Sequence, residues 1–339
     1  GRIFFALSDE PWTIDGAAVR VSLVCFDAKT SGTNIIDGTV VPKINSDLTG
    51  GGIGTDLTKA AKLAENAGVC FEGFRKYGPL DVSGEQAREW LLLPQNVNGL
   101  ANSFILRPYV GGRDITEHLA DTWVVDFFGY NTEDEAALFE APFRHALIHV
   151  KPYRDGVRDK QRREQWWQFG RSGLALRNAL APLQRMIVTP RVAKYRLFAW
   201  QSLQVRPSDA TNAIARDDDT TFGILHSIFH ELWSLRMGTF LGVGNDPRYT
   251  PSTTFDTFPF PEGLTPNITA ADYAADPRAQ KIAAAAARLN ELRENWLNPA
   301  DLVTRMPEVV AGYPDRIVPK SDAAAKELSK RTLTNLYNA

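Results

Sequence analysis

Residues 221–261 constrain the fold more than any other stretch, because an apolar helical pattern runs there into a glycine-rich loop and an aromatic, proline-punctuated segment. Phe222, Leu225, Phe229, Leu232 and Trp233 recur at steps of three and four, the spacing that puts side chains on one face of a helix. The pattern predicts a helix pinned into a core by that face. Gly242, Gly244 and Asn245 tolerate positive φ, and Pro247 fixes the backbone just before Arg248, so the loop can hold polar side chains outward. An Arg with a nearby acceptor, here Arg248 and Asp246, is what base-edge recognition in a major groove needs: Arg forks onto guanine and Asp accepts from cytosine. An ordinary helix, loop and strand connection accounts for the same residues equally well.

The chain of 339 residues is long enough for two or three domains and a sizeable core. Its formal net charge of -2 hides an asymmetry: between Arg144 and Arg216 basic residues are dense, and only Asp155, Asp159, Glu164 and Asp209 offset them. A basic field on a near-neutral protein points to a polyanionic partner, with a solvated helical face as the competing explanation. Cys25 and Cys70 sit in apolar runs without metal-type spacing and read as buried thiols of a cytoplasmic protein. No segment approaches transmembrane length, and the start of the chain lacks the pattern of a secretion signal.

Taken in order, residues 3–7 and 17–26 read as two strands joined by a turn-rich loop through Asp9, Pro11, Asp15 and Gly16. The second is almost wholly apolar, as in the middle of a covered sheet. A chain that opens on such a hairpin is expected to be cut from something larger. After glycines 50–52, residues 55–67 read as a short amphipathic helix, 68–74 as a strand and 83–93 as a helix. Residues 133–150 are helical with a break expected at Pro142, and 158–169 form a basic helix carrying Trp166 and Trp167. That helix is either a core element with a solvated face or a source of phosphate contacts through Lys160, Arg162 or Arg163. Residues 185–190, 196–200 and 212–215 are strand-like. Beyond Pro259, Pro261 and Pro266 the chain turns helical, ending in an alanine-rich helix at 277–296 and a last helix at 322–336 capped by Ser321.

Walker, lipase and kinase signatures are absent. His226 and His230, like His145 and His149, have the four-residue spacing of a metal-binding helix, yet no glutamate or third ligand accompanies them, and satisfied helical histidines explain them better. The run of three aspartates at 217–219 could hold magnesium but stands where acids favour a helix start.

Residues 11–27 (PWTIDGAAVRVSLVCFD), 166–180 (WWQFGRSGLALRNAL), 185–200 (RMIVTPRVAKYRLFAW), 215–239 (ARDDDTTFGILHSIFHELWSLRMGT) and 248–261 (RYTPSTTFDTFPFP) resemble the MmeI-like enzymes. These are adenine-specific DNA methyltransferases of the combined restriction-modification type. The resemblance extends over nearly the whole chain and implies a mixed α+β fold in three parts. Residues 1–50 would be the tail of a class I methyltransferase sheet, 51–262 a mixed α/β target-recognition domain, and 263–339 a helical C-terminal domain. It further implies duplex DNA as partner and methyl transfer from S-adenosylmethionine to the exocyclic amine of a flipped adenine.

By the same resemblance, alternating polar positions before the RYTP segment read bases, and here Gly244, Asp246 and Arg248 occupy them. Gly244 offers no side chain, so Asn245 stands in as a candidate. Arg158, Lys160, Arg162, Arg163, Arg171, Lys194 and Arg196 are the candidates for phosphate contacts. The family's catalytic Asn-Pro-Pro-aromatic motif, its S-adenosylmethionine loop and its nuclease carboxylates do not occur in this sequence. The chain is therefore expected to be an inactive carboxy-terminal fragment whose parent carries the cofactor in an upstream domain. A stand-alone specificity subunit is the rival reading, and a helical scaffold with an incidental basic face is a third.

Overall fold

The computed structural model describes residues 1–29, 31–51, 57–241 and 246–339. Their contacts divide the chain into two compact units, Gly1–Lys62 with Thr239–Asp246, and Leu63–Gly238 with Pro247–Ala339. Both strands and helices run through it, a mixed α+β fold as expected.

In the first unit, strand Arg2–Ile14 pairs antiparallel with Ala17–Asp27 around a turn in which Asp15 and Gly16 both take positive φ, 49° and 81°. Two such residues make the hairpin turn whose twist matches the flanking strands. The first strand therefore continues to the turn instead of ending at Leu7. Pro11 fits within it because beyond Ala6 the strand pairs only with its hairpin partner among the described residues, which leaves one edge open.

The second strand is not in a covered layer. Leu23, Val24 and Phe26 are 43%, 40% and 79% exposed, and Cys25 is exposed as well, which corrects its expected burial. The cause is local: among the described residues this strand pairs with the first alone, and the buried apolar core there is Ala6, Ile36 and Ile44.

Two four-stranded sheets frame the second unit. One runs in the order Ala199–Ser202, Arg185–Pro190, Thr211–Ile214 and Cys70–Glu72, antiparallel throughout. The other runs Arg206–Pro207, Leu106–Val110, Thr122–Val125 and Asp81–Ser83. Phe74, Trp123, Phe127, Phe139, Trp166 and Trp167 dominate one buried cluster, and Phe198, Phe222, Tyr249, Phe255 and Phe258 a second. Aromatic rings bury large areas each, so these clusters supply much of the burial that holds the unit together.

The helix expected from residue 221 onward is two helices, Asp219–Leu225 and Ile228–Met237. Asp218 caps the first by accepting from Thr221 N at 2.7 Å, and Ser227 caps the second by accepting from His230 N at 3.2 Å. The break turns the apolar stripe: Phe222 and Leu225 are buried, whereas Phe229 and Leu232 are 76% and 54% exposed. Similarly, helix 158–169 shrinks to Lys160–Glu164, after which Trp166 and Trp167 turn inward and donate to Glu133 Oε2 and Tyr130 O. The break expected at Pro142 falls at residues 138–139, since Pro142 lies in the first turn of Glu140–Asp155, where its missing N–H is harmless. Of the helix expected at 55–67, residues 55 and 56 and Gly52 before them lie outside the described residues, and the rest holds only two short 3-10 turns.

Residues 263–339 carry helices Pro277–Leu297, Asp322–Leu328 and Leu333–Asn338 together with a hairpin, Val303–Met306 with Arg316–Pro319. They belong to the same unit as residues 63–238. Gly223 explains part of this closeness: a Cβ there would stand 2.5 Å from Ile282 Cγ2, so only a bare α-carbon lets the long helix approach.

Candidate nucleic-acid interface

The backbone around Arg248 is fixed on both sides. Tyr249 is fully buried; its N–H donates to Arg191 O at 2.7 Å, its carbonyl accepts from Asn212 Nδ2 at 3.0 Å, and its hydroxyl lies 3.1 Å from His230 Nε2. Before it, Pro247 O accepts from Ala193 N at 3.4 Å and from Arg196 Nη2 at 3.1 Å, and Arg248 bridges Val192 antiparallel. The base is closed from the other direction as well, since a Cβ at Gly238 would stand 2.7 Å from Arg248 O. Downstream, Thr254 donates to Thr250 O at 2.7 Å through a wide turn at Pro251–Phe255, and the buried Asn66 amide donates to Phe255 O and Phe258 O at 3.0 and 2.8 Å. Asn66, Asn212 and Arg191 were not legible as site residues, because each acts on a carbonyl or N–H far away in sequence.

Of the four candidate base-reading residues, Gly244 and Asn245 lie outside the described residues. Asp246 and Arg248 are half-buried. The Arg248 side chain forms no ion pair or hydrogen bond among the described residues, and its Nε is buried without a partner. An orphaned guanidinium nitrogen on a rigid strand is a costly arrangement in a folded chain, and a ligand relieves it.

The phosphate candidates divide by what already engages them. Arg158 and Lys160 are exposed, the latter 3.6 Å from Glu164. Arg163 spends its guanidinium on Val157 O and Arg158 O at 2.8 and 2.9 Å. Arg162 stands 3.3 Å from Asp159, and Arg171 is exposed with no side-chain partner among the described residues. Lys194 donates to Asn338 Oδ1 at 2.5 Å, an oxygen that Tyr195 also uses. Arg196 differs from the other candidates: it is 7% exposed, and its guanidinium donates to Pro190 O and Pro247 O. Burial pushes its pKa down to about 10. It braces the approach to Arg248 from inside, with its guanidinium spent on those two carbonyls.

Both histidines of the 226/230 pair are engaged internally. His230 Nδ1 donates to Leu225 O at 2.9 Å, which leaves Nε2 to accept from Tyr249. His226 Nδ1 donates to Phe222 O at 2.9 Å while its Nε2 accepts from Arg293 Nη1 at 2.6 Å. Asp218 caps the helix, whereas Asp217 accepts from Gln184 N and Asp219 pairs with Arg185 at the start of strand Arg185–Pro190, so each aspartate of the run has a protein partner.

The fold class is a mixed α+β chain in which the backbone at Arg248 is pinned and Arg158, Lys160 and Arg171 are exposed. Comparison of folds finds the Type IIL restriction-modification enzyme MmeI, solved in complex with DNA, with a TM-score of 0.65 and 18% identity. The alignment covers 100% of this chain and 43% of that one, so the chain spans less than half of its structural neighbour. No family model matches the sequence, and no curated protein matches it.

Proposed function

We propose that this chain is the DNA-recognising part of a restriction-modification enzyme that methylates adenine N6 within a specific duplex sequence. The observation that carries this reading is the fold likeness over the whole chain to an enzyme solved on DNA, joined to an Arg248 whose main chain is fixed and whose guanidinium is not ion-paired among the described residues. In this reading Asp246 and Arg248, with Gly244 and Asn245, face base edges. Arg158, Lys160, Arg162, Arg163, Arg171 and Lys194 line the backbone.

S-adenosylmethionine, the methyl donor such an enzyme requires, carries a positive sulfonium. The groove lined by Gln161, Gln168, Arg171 and Ser172 has Glu72 as its one carboxylate, and that carboxylate is already held by Arg75 and Arg191, which leaves none to meet a sulfonium. These residues do not fit that group. The donor and the catalytic motif belong to other residues of the whole enzyme, and the chain alone binds DNA without methylating it.

The test is selection of bound duplexes from a randomised library by the chain and by its Arg248→Ala variant. A bidentate base contact is worth about 1–3 kcal/mol of discrimination, so preference at one base pair should relax while the others stand. An unchanged sequence preference at uniformly lower affinity would remove Arg248 from the reading.

A further inference from the structure

Arg75, Arg162 and Arg171 lie on three separate stretches of chain, and the fold gathers all three around the phenol of Tyr77. Arg75 Nη1 donates to the Tyr77 hydroxyl at 3.3 Å, and the Arg162 guanidinium stacks 3.8 Å from the ring centroid. Gly170 lies against the same ring, where a Cβ would stand 2.5 Å from Cδ2. Backbone pairing sets the register of the two segments: Gly170 N donates to Lys76 O at 3.1 Å and Arg171 N to Arg75 O at 3.3 Å. Behind them the fully buried Arg154 clamps both, donating to Lys76 O and Gln168 O at 2.7 and 2.9 Å.

Three features of this cluster go beyond what packing requires. Tyr77 is held at φ 50° with Gly78 at φ 144°, a left-handed conformation that costs a non-glycine residue and gathers at functional sites. Arg75 Nε, Arg154 Nε and Arg154 Nη1 are buried without hydrogen-bond partners, and Arg162 Nε has Asp159 Oδ2 at 3.3 Å without hydrogen-bond geometry. Charge is also in excess, because Glu72 and Asp159 pair with Arg75 and Arg162, whereas Arg154 and Arg171 pair with no described carboxylate. The phenol responds to its surroundings: the hydrogen bond from Arg75, with the fields of Arg171 and Arg162, lowers its pKa. Since Arg75 donates to the phenol oxygen, the O–H hydrogen is free to point outward.

We propose that this cluster seats one backbone phosphate of duplex DNA, with Arg171 and Arg162 supplying charge and the Tyr77 hydroxyl donating a hydrogen bond to a phosphate oxygen. The inference rests on the duplex-DNA reading above. It adds a fixed point of register built on Tyr77, which no charge pattern in the sequence marks. The groove beside it, with the amides of Gln161, Gln165 and Gln168 and the Ser172 hydroxyl, offers uncharged polar groups to the adjoining sugar-phosphate chain.

Anisotropy of a labelled random-sequence duplex across a potassium chloride series tests this on the whole chain, with Arg171→Gln, Tyr77→Phe and the exposed control Arg288→Gln. Arg171→Gln should reduce the slope of log affinity against log salt by about one. Tyr77→Phe, which removes a neutral donor to a charged oxygen, should weaken binding about 10-fold with the slope kept, and the control should leave both unchanged. Arg171 is exposed, so its variant carries the test even if Tyr77→Phe melts early. Wild-type binding that Arg171→Gln leaves intact in affinity and slope would overturn the phosphate seat and leave the DNA reading standing. Failure of the wild-type chain to bind any duplex would overturn both. Calorimetry with inorganic phosphate is the last arm: saturable binding abolished by Arg171→Gln, with duplex affinity unaffected, would make this a small-anion site and overturn the assignment to DNA.

Discussion

The Tyr249 hydroxyl donates to His230 Nε2 at 3.1 Å, and both side chains are wholly buried beneath the strand that carries Arg248. The His230 tautomer follows from its other nitrogen, which donates to Leu225 O and so fixes Nε2 as the acceptor. Tyr249→Phe should therefore strand that nitrogen in the core at a cost of about 1–3 kcal/mol. Urea unfolding of the two proteins measures it, and equal midpoints would show that the hydroxyl contributes nothing.

Acid should destabilise this chain well above the range of its carboxylates. Burial above all lowers the pKa of both His226 and His230 to about 3, against 6.5 for a free imidazole, with Arg293 adding to the effect at His226 and Arg196 at His230. The unfolded chain then takes up protons that the folded one refuses. Their neutral forms sustain full stability above about pH 6.5, and stability falls as pH drops from there toward 3, each residue approaching about 1.4 kcal/mol per pH unit. Urea midpoints at pH 7.5, 6.5, 5.5 and 4.5 should trace the fall, and His226→Gln should flatten it.

Arg196 and Arg171 should fail in different ways. Arg196→Gln removes donors to Pro190 O and Pro247 O, so it should lower stability by about 1–3 kcal/mol and blur base preference next to Arg248. Its salt slope for DNA should match wild type, because no phosphate contact is lost. A reduced slope in Arg196→Gln would place this guanidinium on the DNA after all.

Gly223→Ala tests the approach of the long helix. A methyl group there meets Ile282 Cγ2 at 2.5 Å and Ile282 O at 3.0 Å, so the helices must part. Overpacking of this kind costs about 1–3 kcal/mol. Thermal melting gives the answer, and an alanine variant as stable as wild type would mean the helix shifts freely.

Local chemistry was legible in the sequence where neighbours decide the outcome. Ser321 caps its helix as expected, and strand 185–190 appears where β-branched residues cluster. Even Ser227 gave a usable signal, since a serine three residues before His230 marks a helix start that splits the apolar stripe. What escaped was set by residues remote in the chain. Nothing near Arg196 foretells its burial, which follows from carbonyls at Pro190 and Pro247, and nothing near Lys194 announces Asn338. Nothing near Tyr77 in sequence foretells that Arg162 and Gly170 close on its ring. Exposure of the second hairpin strand was equally hidden, because an apolar run records the demand for a cover and not whether one is present.

The chain leaves the second unit at Gly238 and returns at Pro247, and the Gly238 backbone lies against the Arg248 carbonyl. A segment whose ends are already clasped carries little further closure entropy, and even doubling its length adds only about 0.6 kcal/mol. Insertions, deletions and exchange within such a segment should therefore leave the clasp of Tyr249, Arg191 and Arg196 in place. Under the function proposed above, drift in this stretch among descendants of one ancestor would mark a change of target and not decay of the fold.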